Sequence, residues 1–195
     1  MLIAGLSELL LIAGLSFAFV HNLKHKRSLI IAMAILTTTC AASAGFMRYL
    51  ELADTVSVHQ SFSFISKHFA MSAFITGLLW HSFSRPVLPW AILGLTLISF
   101  AINTLYSAGF ISDAIIVLLC LYFIYQVRTQ LPALVQAVTA LFILTSTLIW
   151  GIIMSDKDLL LGLFHLSLAC FFVLMARSSE ALIPLTDDNK HAPVT

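Results

Sequence analysis

Apolar residues run almost unbroken for some twenty positions at a time along this chain, and short polar breaks separate the runs. A helix needs about 20 mostly apolar residues to cross a bilayer, with roughly 17–25 tolerated. Seven segments qualify: 2–20, 28–47, 67–83, 88–106, 111–127, 133–154 and 159–176. Pro86, Pro89 and Pro132 fall in the breaks, where helices begin and end. The pattern predicts an all-α, polytopic integral membrane protein with seven transmembrane helices in one domain, residues 1–178. Residues 179–195 read as a flexible cytoplasmic tail, polar and proline-containing. The longest break, "RYLELADTVSVHQSFSFIS", carries Tyr49, Leu52, Val56 and His59 at helical spacing. It fits a short interfacial helix, a solvated connector, or a lid that turns Asp54 and His59 towards the bundle.

Composition strengthens the membrane reading. Hydrophobic residues make up 60% of the chain and charged residues 10%, against about a quarter charged in soluble domains. The net charge of +1 and the lack of a basic, aromatic-interleaved stripe give no footprint for nucleic acid. Cys40, Cys120 and Cys170 lie in apolar runs without metal-ligand spacing and read as small hydrophobes. The first apolar run has no basic residues before it, so it reads as a retained span rather than a leader. Lys24, Lys26, Arg27, Arg85, Arg128, Arg177 and Lys190 fall on one side of the predicted spans; only Arg48, Lys67 and Lys157 fall on the other. The positive-inside rule then places the N-terminus outside and the C-terminus in the cytoplasm, with the bacterial inner membrane as the expected location. No internal repeat of the kind found in secondary transporters is visible.

Ionisable side chains within the spans cost a few kcal/mol each and so mark candidate function. Glu8 lies about 9 Å inside the first span at 1.5 Å per residue, too deep for its short stem to reach water. His165 lies at similar depth on a face shared with Gly162, Ala169, Phe172 and Ala176, whose small residues mark helix packing. His68 opens the third span, with Ser72 and Thr76 below it; Asn103, Ser99 and Thr96 share a face of the fourth; Ser43 and Arg48 end the second. Five helices are therefore expected to bring polar residues to one pocket in the outer half of the bundle, where Arg48 could pair with Glu8 or Glu51. His81, beside Trp80, fits an aromatic belt. His21 and His25 read as members of a basic loop, and His191 as an exposed bystander.

Three chemistries could use this set. Neutral imidazoles and a carboxylate suit zinc, with Glu8, His68 and His165 as ligands and His59 or Asp54 as a fourth. A zinc-bound water of pKa about 7 would be a hydrolytic nucleophile. The same residues would serve equally as a hydrogen-bonded packing network. Seven spans, an acid in the first (Glu8), a serine late in the second (Ser43) and a histidine early in the seventh (His165) resemble the CREST superfamily. Its members include alkaline ceramidases and progestin/adipoQ receptors. The resemblance implies a zinc site on the N-terminal side of the bundle and hydrolysis of a lipid, with Ser43 and His165 as the positions that carry over. The motifs depart where Met47 follows Ser43 and Ala169 follows His165, each in place of a histidine, and where the third span lacks an aspartate. The second chemistry is haem b held between His68 and His165. The third is non-enzymatic: a carrier, sensor or accessory subunit handling protons or anions. A lipid or other small molecule is the expected ligand. Retinal is excluded by the lack of a lysine in the seventh span, and no GxSxG marks a nucleophile elbow.

Overall fold

The computed structural model describes residues 2–25, 28–51, 55–106 and 110–182, all helix and short connections with no strand among them. The helices are α1 (Leu2–Lys24), α2 (Leu29–Tyr49), α3 (Val56–Ile65), α4 (Met71–Leu78), α5 (Val87–Tyr106), α6 (Phe110–Val127), α7 (Leu131–Ile153) and α8 (Lys157–Ser178). A π turn, Ser66–Ala70, joins α3 to α4, and helical backbone at Ile65, Ser66, Ala70 and Met71 makes the three one continuous rod. Counted that way, the described residues form seven helices.

Cross-helix contacts give each helix a direction. Thr55 meets Ala44, His59 meets Ala41, and Ser66 meets Thr38, so the rod lies antiparallel to α2. Phe64 packs on Phe100 and Trp80 on Trp90, setting α5 antiparallel to the rod. Lys67 reaches Asp113 and Phe83 stacks on Tyr122, so α6 runs with the rod. Ser178 donates to Ala133 O, and the last helix is antiparallel to α7. Ser7 meets His165 and His21 meets Glu180, so the first and last helices run parallel. The bundle alternates up and down from end to end.

Large apolar side chains cover much of the exterior, and polar residues are buried among an apolar core. Leu6, Leu10, Phe17, Val20, Met33, Leu97, Ile98, Leu118 and Phe142 face outwards, while Ser7, Glu8, Thr38, Ser72, Thr96, Ser99, Asn103, Ser112 and His165 are buried. Five helices, Ile3–Lys24, Leu29–Tyr49, Val87–Tyr106, Phe110–Val127 and Lys157–Leu182, are long and apolar enough to cross a membrane. An apolar exterior of this extent is stable only in lipid; the chain is a helical membrane protein. Every residue of α4 is buried, as expected of a helix at the centre of a bundle. Phe74 there packs on Phe172 of α8.

The third helix differs most from expectation. It begins at Val56 rather than 67: the later part of the long break, Val56–Ile65, is helix and forms the first half of the rod. Polar residues in α3 hid this: Thr55 Oγ1 donates to Ala44 O at 2.6 Å and His59 Nδ1 to Ala41 O at 2.9 Å, fastening the segment to α2 rather than leaving it at the surface. The rod also ends sooner, because Trp80–Ser82 forms a separate 3-10 turn and Phe83 is extended. Arg48, expected to pair with Glu8 or Glu51, does neither among the described residues; its guanidinium lies over Tyr49. The expected tail is ordered at its start: Ser179–Leu182 is a 3-10 turn with Ser179 buried, and Gln130 Nε2 donates to Ala181 O at 3.1 Å. The rest of that tail, with His191, lies outside the described residues.

Small residues let α1 and α8 approach. A Cβ on Gly14 would stand 3.0 Å from Cα, Cβ and O of Ala169. Backbone atoms cannot yield as a flexible side chain would, so overpacking here forces the helices apart at a cost of about 1–3 kcal/mol. Gly14→Leu is expected to lower the thermal unfolding midpoint in detergent by several degrees, whereas Leu10→Ala on the lipid-facing side of the same helix leaves it nearly unchanged.

Candidate functional site

A cavity of about 330 Å³ opens between α1, α2, the rod, α6, α7 and α8. Its wall follows one gradient on nearly every helix. Glu8 precedes Leu11 on α1, Lys67 precedes Met71 on the rod, Asp113 precedes Ile116 on α6, and His165 precedes Leu168 on α8. On α7, which runs the other way, Leu141 and Leu144 come before Thr145 and Thr147. On α2 the order departs from this, with Thr38 before Ala41 and Ala42, and on the rod the polar wall residues run from His59 to Lys67.

The polar part of the wall centres on Glu8, whose side chain is 1% exposed. Its Oε1 has no hydrogen-bond partner among the described residues and lies 3.5 Å from His165 Nε2. The other side of the His165 ring fixes the proton. Ser7 Oγ donates to Ala4 O at 2.7 Å, which occupies its only hydrogen, so at 3.0 Å it accepts from His165 Nδ1. In the neutral ring Nε2 is then a bare lone pair facing a carboxylate oxygen. His59 repeats the pattern, since a carbonyl only accepts: Nδ1 donates to Ala41 O, and Nε2 of the neutral ring is left without a proton. Two electron-rich atoms 3.5 Å apart repel unless a proton or another positive group lies between them.

Gly45 makes this arrangement possible. A methyl group there would collide with Glu8 Oε1 and stand 2.9 Å from His59 Cε1. At the rim, Lys67 Nζ and Asp113 Oδ2 are 4.0 Å apart with both side chains more than half exposed, a pair of small energetic weight. Thr145 and Thr147 hydrogen-bond to carbonyls of their own helix, Leu141 O and Leu144 O, and do not compete for Glu8. From the rod, His59, Ser63, Ser66, Lys67 and Met71 line the cavity, and the π turn Ser66–Ala70 lies within that stretch.

The sequence-predicted residues divide. Glu8, His165 and His59 border one cavity; His68, Ser72, Asn103, Ser43 and Arg48 are not in its wall, and Asp54 lies outside the described residues. His68 is buried against Phe64, whose ring meets Phe100 of α5, and its Nδ1 has no partner among the described residues. Ser72 donates to Phe69 O, and Asn103 is buried on α5. The single pocket expected from five helices is thus two polar regions on different sides of the central rod. Ser7, Gly45, Lys67 and Asp113 escaped the sequence reading; a glycine and a serine in apolar runs carry no distinctive signal. No protein family, curated protein or solved structure matches this chain.

If Gly45 exists to seat the Glu8 carboxylate, the two positions are energetically coupled. Gly45→Ala is expected to destabilise the protein by about 1–3 kcal/mol. In the Glu8→Ala background the same change should cost much less, and a double-mutant cycle by thermal or denaturant unfolding measures the difference.

Proposed function

We infer that this is a seven-span membrane protein, N-terminus outside, whose outer-half cavity holds a single-chain amphiphile with a cationic or proton-donating head. The observation that carries the reading is the buried Glu8 oxygen without a partner among the described residues, in a cavity whose wall is otherwise largely apolar. A bilayer interior offers no water to satisfy such a group, and a carboxylate facing an imidazole lone pair is complementary to an ammonium or hydroxyl. Leu11, Met71, Ile116, Leu141, Leu144 and Leu168 in the same wall suit an alkyl chain. The volume lies near the lower end of small-molecule sites, about 300–1,000 Å³, which favours one chain over two. Alternating helix directions support seven crossings, because the rod runs beside α2 from Thr55–Ala44 to Ser66–Thr38. The loop charges support the orientation and a bacterial inner membrane.

The same cavity would house the zinc-dependent hydrolysis implied by the CREST resemblance. One observation favours that second reading: Glu8 Oε1 and His165 Nε2, 3.5 Å apart, are close to the separation of about 3.3 Å expected for two ligands of one tetrahedral zinc. Among the described residues no third His, Cys, Asp or Glu ligand atom lies within 4.8 Å of both, so His59 would have to swing in. Such an ion would supply an acidic bound water as nucleophile.

Tetradecylamine and tetradecanoic acid, titrated against the protein in nanodiscs, test the first reading. The amine should bind and Glu8→Gln should weaken it about 10–100-fold, the loss of one charge-assisted hydrogen bond. Tighter binding of the acid, or indifference to Glu8→Gln, overturns it. Reporter fusions after Leu182 test the orientation: fluorescent protein should fold there and alkaline phosphatase should stay inactive.

A further inference from the structure

About 20 Å along α1 from Glu8, at 1.5 Å per residue, the first and last helices meet again through titratable side chains. His21 and His25 stand one turn apart at the end of α1, with ring centroids 4.5 Å apart. The 3-10 turn after α8 brings Glu180 to them: its Oε1 lies 2.7 Å from His21 Nε2 and 3.9 Å from His25 Nε2. One ligand atom from each residue falls within 4.8 Å of the other two, and among the described residues no other group of three does so.

We propose that His21, His25 and Glu180 form a binding site for a divalent transition metal of the zinc class, clamping the first helix to the last at the end of the bundle away from the cavity. Two imidazoles and a carboxylate are the donor set such ions select over magnesium or calcium. Histidines at i and i+4 share one face of a helix, so the backbone already brings two ligands together. Tetrahedral ligands about one zinc are about 3.3 Å apart; small side-chain rotations would open the 2.7 Å contact and close the 3.9 Å one, with no movement of the helices. His21 is 9% exposed and Glu180 55%, so the protein walls one side while the other admits water as a fourth ligand. The C-terminal ends of α1 and α8 converge here, and both helix dipoles favour a cation. Arg177, on the last turn of α8, adds a positive charge near Glu180 besides the carboxylate's contacts with His21 and His25.

Ser178 and Gln130 hold Glu180 in place. Ser178 Oγ donates to Ala133 O at 2.8 Å and Gln130 Nε2 to Ala181 O at 3.1 Å, fixing the 3-10 turn on the α6–α7 connection. A bound ion would therefore join α1, α8 and that connection, closing the ring of helices on one face.

The test is a Co²⁺ titration of full-length protein, purified in detergent and stripped with chelator. A single Co²⁺ per chain should bind with the visible absorption of a four- or five-coordinate ion and be displaced by Zn²⁺. His21→Ala and Glu180→Gln should each weaken binding by about tenfold or more; Glu180→Gln retains a hydrogen-bond acceptor for His21 and so preserves the fold. Glu8→Gln and His165→Ala should leave this binding intact. No uptake of Co²⁺ or Zn²⁺ at micromolar concentration by wild type overturns the proposal, as does binding that survives both His21→Ala and Glu180→Gln. Uptake lost only in Glu8→Gln also overturns it and assigns the ion to the cavity instead.

Discussion

The bundle closes where its first helix lies against its last. That seam has small residues in the middle and ionisable residues towards both ends. Ala169 abuts Gly14, and Ile3 abuts Gly162. Without a hydrophobic drive between helices in lipid, such close contact supplies the packing energy. Towards one end Ser7, Glu8 and His165 meet; at the other, His21, His25 and Glu180. Both groups owe their geometry to the parallel pairing of α1 with α8, so the cavity and the proposed metal clamp depend on one interface.

The central rod decides what else can join. Buried all round over Met71–Leu78, it presents different faces to α1, α2 and α8 on one side and to α5 on the other. His59, Ser63 and Ser66 turn to the cavity, while His68 goes to the Phe64–Phe100 side. The π turn lies where the two faces diverge.

The cavity brings ionisable and hydroxyl groups together with apolar side chains from six helices, and Glu8 is its most buried ionisable group. Ser7 and Ala4 orient the His165 ring, Ala41 orients His59, and Gly45 leaves room for the carboxylate. Each contact holds a proton away from the cavity and leaves an electron pair towards it or towards its neighbour.

Hydrophobic run length settled the class of protein, most helix positions and the depth of Glu8 and His165, because the bilayer imposes a length and a penalty that single residues reveal. It missed the start of the third helix. Val56–Ile65 is polar enough to read as a loop, yet it is helix, with Thr55 and His59 donating to α2 carbonyls. It also missed His21 and His25, whose i, i+4 spacing was legible but whose third partner lies 155 residues away from His25 on a 3-10 turn. Periodicity reports which face of a helix is polar, not which neighbour that face meets. Helix directions and the α1–α8 pairing made those assignments, since they are contacts between segments distant in sequence.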